Sequence, residues 1–386
     1  MRLSTPSFRV VLLGPVYPYK GGIAHYTGLL AKELAKTHPT KVVSFKLQYP
    51  KFLYPGQQQR DYENDSFRYE DTEYLINTVN PFSWLQACMV LARFTPDLVI
   101  IPWWNPFFGP AFSVIAILAK MMCRTKVLFL IHNVFPHERL PFDRLMTTFT
   151  LRRGDCFIVQ SGENEAMLLD IVKNPVYRRT MHPTYDAFNI EGFDRAALRR
   201  ELELPDDARV MLFFGFVREY KGLTYLIEAL PSINKRVENS YLLVVGDFYD
   251  DKPKYLEQIE SLGVSAMVKI IDAYIPDRQV GKYFTASDLV VLPYVSATQS
   301  GIVQIAFGFG KPVIVTSVGG LPEVVEDGRT GYVVPPCDAE ALADAVVRFF
   351  EQNRCQEFST AIGKQQERFA WGRMVEIIED IVKVTG

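Results

Sequence analysis

The chain has 386 residues, 48% hydrophobic and 22% charged, a balance that excludes a disordered protein; single cores rarely exceed about 250–300 residues, so two domains are expected. A formal net charge of −2 leaves no global basic field, which argues against nucleic acid as a partner. Five cysteines, an odd number with no CxxC pair, predict reduced and mostly buried thiols in a cytoplasmic protein.

The first apolar run, FRVVLL, reads as a buried strand rather than a signal peptide. It leads into GPVYPYKGGIAHYTGLLAKELAK, where Gly21 and Gly22 stand just ahead of a helix at about Ile23–Lys36. Paired glycines at a helix start allow close approach, and the unpaired N–H groups there favour a phosphate; an ordinary strand-to-helix turn gives the same pattern. KVVSFKL is a strand, Phe82–Arg93 a helix, PDLVIIPWW a buried strand, Phe112–Met122 a helix and KVLFLIHNV a strand. A strand at Asp155–Gln160 and a helix at Glu163–Val172 follow. Leu98–Ala119 carries no charge over 22 residues, enough to span a membrane, but Pro102, Asn105, Pro106, Gly109 and Pro110 interrupt it. A strand, a turn and a core helix are the expectation there.

A polar, turn-rich stretch from His182 to Asp207 holds one short helix and marks a boundary near residues 184–192. The alternation then restarts. RVMLFFG, YLLVVGD, VKIID, DLVVLPY and PVIVT are strands; helices fall at Leu223–Lys235, near Lys254–Leu262, near Arg278–Ala286 and from about Gly301. Continuously apolar strands alternating with helices predict two parallel sheets, each covered on both faces, in an α/β architecture. The domains are expected at 1–187 and 188–370, with residues 371–386 as a closing helix. In such sheets ligands sit beyond the carboxyl ends of the strands, so residues just after strands carry the most information.

Arg218 and Lys221 follow the strand RVMLFF and precede a helix. Two cations there could hold a diphosphate and stabilise it as a leaving group; a solvated surface pair is the alternative. After DLVVLPY, Ser300 and Gly301 open a helix that could present N–H groups to a phosphate or a sugar hydroxyl. In GGLPE, Gly319 to Glu323, two glycines again precede a helix start. All five histidines lie in the first half. His132 follows KVLFL and is expected to face the cleft. No HExxH is present, and His132 and His137 do not suggest zinc. His25 either lines a pocket or packs, and His182 reads as structural. The clusters Tyr49–Gly56 and Ile101–Pro110 are explained by core packing, but Trp103 and Trp104 follow a strand, so at least one should edge the cleft, where an aromatic face suits a sugar or a lipid chain.

The passage VSATQSGIVQIAFGFGKPVIVTSVGGLPEVVEDGRTGYVVPP resembles the C-terminal signature of the family 4 glycosyltransferases, which have the GT-B fold of two Rossmann-like domains. GGIAHYTGLLAKELA, FGFVREYKGLTYLIEAL, YLLVVGD, ASDLVVLPY and FAWGRMVEIIEDI resemble further family segments, in order and over nearly the whole chain, the last resembling the closing helix that crosses back to the first domain. The resemblance implies retaining transfer of a sugar from a nucleotide-diphosphate donor, usually without metal or other cofactor. It implies donor contacts from Gly22, Arg218, Lys221, Tyr274 and Ile275; Gly21, Gln299, Ser300, Gly301, Ile302 and Gln304 complete the expected donor side. His132, Arg218 and Lys221 are the implied catalytic residues. His25, Trp103 and Trp104 are implied on the acceptor side, facing a saccharide or lipid-linked acceptor.

One departure stands out. The family commonly places two glutamates eight positions apart, and an ungapped count back from Lys311 puts Ile305 and Ala297 there. Gln304 or Gln299 is the expected substitute for hydrogen bonding to ribose or sugar. The loss keeps two further readings in play: a catalytically silent nucleotide-sugar-binding partner, and a nucleotide-sugar 2-epimerase, which would need carboxylates that this region lacks. Family members that work on lipid-linked sugars add a peripheral contact with the inner face of a membrane to the expectations.

Overall fold

The computed structural model describes residues 7–50, 59–62, 65–136, 141–189, 192–248 and 252–385. The chain divides into two compact units: Met1–Met181 with Ala370–Gly386, and His182–Phe369. The division thus falls about six residues ahead of the sequence-based boundary. His182 and Tyr185 account for this: the Tyr185 hydroxyl meets the imidazole Nε2 of His182 at 3.2 Å, and Thr184 N donates to Phe369 O at 3.0 Å, so the segment packs with the second unit.

The first unit is built on a parallel sheet of β1 (Val10–Leu13), β2 (Thr40–Leu47), β3 (Thr72–Asn77), β4 (Leu98–Trp103), β5 (Lys126–Ile131), β6 (Cys156–Val159) and β7 (Tyr177–Arg179). Their spatial order is β3-β2-β1-β4-β5-β6-β7. Strand residues alternate between two cores. Val11, Val99, Ile101, Val127 and Phe129 face the helices Pro81–Phe94 and Gly109–Cys123. Val10, Leu12, Ile100, Leu128 and Ile158 face the helices Gly22–Leu34 and Trp371–Val384. Burial on both faces explains why these strands read as unbroken apolar runs.

The final helix seats Met374, Val375, Ile378 and Ile381 in that second core. Polar ties hold it to the rest of the unit: His38 Nε2 to Glu379 Oε1 at 3.1 Å and Arg178 Nε to Asp380 Oδ2 at 2.8 Å. The uncharged stretch forms β4, a 3-10 turn at Pro106–Phe108 and the helix Gly109–Cys123. By length and composition 106–123 could cross a membrane, yet half of it is buried inside the unit.

The second unit repeats the plan with β8 (Arg209–Phe214), β9 (Ser240–Val245), β10 (Val268–Ile271), β11 (Leu289–Leu292), β12 (Val313–Thr316) and β13 (Gly331–Val334). The order β10-β9-β8-β11-β12-β13, all parallel, is that of a doubly wound dinucleotide-binding sheet. Each sheet reverses direction once, between β1 and β4 and between β8 and β11, and such switch points open a crevice at the strand ends.

In the first unit two strands and one α-helix escaped the sequence reading. β3 (TEYLIN) and β7 (YRR) are edge strands, half-exposed and polar, so they lack an apolar run. The helix Asp143–Leu151, DRLMTTFTL, is rich in threonine, a weak helix former.

Candidate functional site

Most candidate residues of the second unit follow β8 and β11, the two strands at which its strand order reverses. After β8 the chain turns through Gly215 into a 3-10 turn at Glu219–Lys221. Gly215 has φ 99°, and a Cβ built on it would stand 3.0 Å from the Lys221 ammonium and 3.6 Å from Ile302 Cδ1. Lys221 is only 8% exposed, and its Nζ lies 5.7 Å from the centre of the Tyr294 ring. Burial, aided by the neighbouring Arg218 charge, pushes its pKa down to about 8. Val295 N donates to Tyr220 O at 2.7 Å, joining this turn to the loop after β11. Arg218 is half-buried at the start of the turn. A desolvated ammonium beside a bare glycine backbone is suited to an anion, because attraction strengthens as water is excluded.

The loop after β11 carries Ala297–Ser300 into the helix Gly301–Gly308, with Ser300 as its N-cap residue. A Cβ on Gly319, at φ 49°, would meet the Ala297 carbonyl oxygen at 1.6 Å, so only glycine fits. Gly320 N donates to Thr298 O at 3.0 Å. Gly319 and Gly320 therefore clamp the 297–300 loop, and the helix they precede, Leu321–Val324, is a single turn. Ala297 and Ile305, which stand where the family's carboxylates were counted, are both buried. Gln304 is 1% exposed, and its Oε1 has no hydrogen-bond partner among the described residues. Gln299 is half-buried. Tyr294 is raised above the usual phenol pKa, chiefly by burial. Tyr274 and Ile275 follow β10, two strands from β8 on the same edge of the sheet, with Ile275 buried and Tyr274 half-buried.

In the first unit His132 follows β5. Its backbone N–H donates to Trp103 O at 2.8 Å, and its ring meets the Tyr26 ring edge-on at 4.7 Å. The Tyr26 hydroxyl accepts from Gln160 Nε2 at 2.8 Å, and the ring also touches Trp371 at 4.9 Å. Buried Asn164 brackets the His132 loop, donating from Nδ2 to His132 O at 3.1 Å and accepting at Oδ1 from Val134 N at 2.9 Å. The imidazole is thus held by both its backbone and its ring neighbours.

Trp103 is wholly buried, its indole N–H donating to Val134 O at 3.1 Å, so its ring is part of the core and offers no face to an acceptor. Trp104 is the half-buried member of the pair; its indole N–H donates to the Tyr49 hydroxyl at 3.3 Å. His25 is buried with its ring stacked on Phe67 at 4.3 Å, the packing alternative for that residue. Gly21 caps the helix Gly22–Leu34 at φ 100°, and no atom lies within 4 Å of the point where a side-chain carbon would stand, so the turn opens onto free space. His137 and residues 51–56 of the aromatic cluster lie outside the described residues.

Tyr26, Gln160, Asn164, Gly215 and Tyr294 were not singled out from the sequence. Gln160 and Tyr294 sit directly after or two positions past a strand, which was the available signal. Tyr26 and Asn164 lie inside helices and gave none.

Residues 208–352 match the family model "Glycosyl transferases group 1". An uncharacterized glycosyltransferase of Methanocaldococcus jannaschii is 28% identical over 199 residues, 51% of this chain and 50% of that protein. A D-inositol 3-phosphate glycosyltransferase of Corynebacterium glutamicum is 31% identical over 169 residues, 42% of this chain and 40% of that one. The chain thus spans about half the length of the curated relatives it matches. Among solved structures, sucrose-phosphate synthase from Thermosynechococcus elongatus superposes with a TM-score of 0.72 at 19% identity, covering 97% of this chain and 100% of that one. HepE of Anabaena, solved with UDP, gives 0.72 at 18% identity, covering 97% and 99%. The GT-B fold expected from the sequence is borne out, and the family resemblance is borne out as similarity to glycosyltransferases over residues 208–352 and about half of the chain.

Proposed function

We propose that this chain, a GT-B protein of the family 4 glycosyltransferase type, transfers a sugar from a nucleoside-diphosphate sugar to a saccharide or lipid-linked acceptor, with retention and without a metal. The observation that carries the reading is the buried Lys221 ammonium packed beside the backbone of Gly215, at the switch point of the second sheet. A positive charge held there needs no reorganisation when a diphosphate departs, which is where preorganised electrostatics contributes most. Arg218 would add a forked donor set to the same phosphates. Ser300, Gly301 and Ile302, at the helix start facing Gly215, would receive the phosphates and sugar, and Tyr274 and Ile275 the base. Gln304 offers its buried carbonyl oxygen to a ribose or sugar hydroxyl, replacing one function of a glutamate without its charge.

On the acceptor side, His132 would orient or polarise the attacking hydroxyl, and Trp104 would provide the aromatic face. The open turn at Gly21 and Gly22 leaves room for an anion at a helix N-terminus. HepE has been solved with UDP-glucose, which makes UDP-sugars the first donors to try.

The test is transfer or hydrolysis of UDP-, GDP- and ADP-sugars in the presence of a chelator. The reading predicts turnover of one donor class and its loss in Lys221→Met. The alternative of a silent nucleotide-sugar-binding partner, kept by the apolar Ala297 and Ile305, predicts binding without turnover.

A further inference from the structure

The first unit carries an apolar face that its own fold does not cover. The helices Pro81–Phe94, Gly109–Cys123 and Asp143–Leu151 pack side by side on one face of the first sheet. A helix on a sheet normally turns a polar face outward. Here the first turns out Phe82, Leu85 and Met89, spaced three and four residues apart. The middle helix turns out Met121 and Met122, with Val114, Ile117 and Leu118 half-exposed behind them. The third turns out Leu145 and Phe149, preceded by Phe142. Phe82 and Phe142 are 76% and 73% exposed. The second unit shows the usual arrangement: its helix Ala339–Glu351 turns out Glu340, Asp344, Arg348 and Glu351.

The charge around this face is predominantly basic. Segments 81–94, 109–126 and 141–155 contain seven basic residues against two acidic ones, Asp143, which is buried, and Asp155, which pairs with Lys120 at 2.7 Å, in a chain of net charge −2. The placement is also ordered. Each of these helices returns from the carboxyl end of one parallel strand to the amino end of the next, so all three run the same way. Arg93, Arg124, Arg152 and Arg153 stand at or just past their C-terminal ends and so line one edge of the face. Arg153 lies over the Phe149 ring at 4.6 Å, joining the basic edge to the apolar stripe. Arg144 is exposed within the face, paired with Asp170 at 3.0 Å. An apolar stripe edged by arginines fits acyl chains below anionic headgroups.

We propose that this three-helix face is a docking surface for an anionic lipid bilayer, on which the first unit lies rather than spans. The half-buried state of 106–123 against the sheet favours lying over crossing. Docking would leave the carboxyl edge of the first sheet, with His132 and Trp104, facing along the bilayer plane. The proposal does not depend on the transfer reading.

The test is flotation of the full chain with vesicles of phosphatidylglycerol and phosphatidylcholine, against vesicles of phosphatidylcholine alone, in low and high salt. Binding to the anionic vesicles, weakened by salt, is expected. Phe82→Ser and Phe142→Ser should each lower the partition coefficient roughly tenfold, since each removes a large apolar side chain from the interface, with an unchanged thermal transition. Arg124→Gln with Arg152→Gln should remove the preference for anionic lipid. Absence of binding, or binding unaltered by the phenylalanine variants, would overturn the proposal. So would a dimer that the same variants dissociate, because the face would then belong to a second copy. Donor turnover measured on the same samples reports on the transfer reading separately.

Discussion

The Lys221 ammonium lies 3.0 Å from the point at which a side-chain carbon on Gly215 would stand. Gly215→Ala therefore has two effects: an alanine at φ 99° costs about 1–3 kcal/mol of backbone strain, and the new methyl crowds the ammonium. The expected outcome is a lowered melting temperature together with weakened nucleotide binding, measured by calorimetric titration. A variant destabilised with nucleotide affinity intact would detach Gly215 from the site.

Lys221 should make nucleotide binding depend on pH. Burial and Arg218 hold its pKa down to about 8, below the ordinary 10.5, so the charged form is the disfavoured one in the unliganded protein. A diphosphate favours that charged form, and binding takes up a proton near pH 8. Affinity should fall as pH rises through about 8, and Lys221→Met should flatten that part of the profile. For stability the sign is opposite. The unfolded chain binds more protons between about 8 and 10.5, so this residue's contribution rises with pH in that window.

A second pH effect belongs to His182, whose pKa burial pushes from 6.5 down to about 4. The neutral ring donates from Nδ1 to Pro183 O at 2.8 Å and accepts from the Tyr185 hydroxyl at Nε2. The unfolded chain again binds the extra proton, so stability is lost as pH falls from about 6.5 to 4. Denaturant melts across that range should show a shallower loss in His182→Gln.

Gly319→Ala should be among the most damaging single changes in the second unit. The added carbon would overlap the Ala297 carbonyl oxygen at 1.6 Å, and a backbone atom cannot swing away as a side-chain tip can. A loss of about 3–5 kcal/mol or failure to fold is expected, read from denaturant unfolding. Gln304→Leu is the milder counterpart. It keeps the buried volume, so thermal stability should hold or rise, while donor affinity falls about tenfold for the loss of one hydrogen bond.

In the first unit His132→Ala should lower the transfer rate about a hundredfold or more while leaving nucleotide affinity unchanged. Asn164→Ala should reach the same end indirectly. Without its two hydrogen bonds to the His132 loop, stability drops by about 2–3 kcal/mol, and the rate falls with it. Asn164→Asp, which keeps the acceptor for Val134 N, should recover part of both.

The alternation of strands and helices was legible because buried parallel strands are apolar on both faces and leave runs such as PDLVIIPWW. Edge strands leave no such run, and β3 and β7 were missed for that reason. Residues after strands, Arg218, Lys221 and His132 among them, were singled out by their position and by the family resemblance. What position could not distinguish was the direction of a ring: Trp103 and Trp104 are neighbours in sequence, yet one is core and the other half-exposed. The role of Gly319 was equally hidden, since its partner is a backbone carbonyl 22 residues earlier in the chain. The outward phenylalanines of the three-helix face look like core residues in the sequence, and only their exposure sets them apart.

The measurement closest to the central claim is calorimetric titration of UDP, GDP and ADP into the wild-type chain and into Lys221→Met, with chelator throughout. The account predicts that one nucleoside diphosphate binds without metal and that the variant loses about ten- to a hundredfold in affinity, the cost of one charge-assisted contact. Wild-type protein that binds none of them, or a variant that binds as well as the wild type, would contradict it.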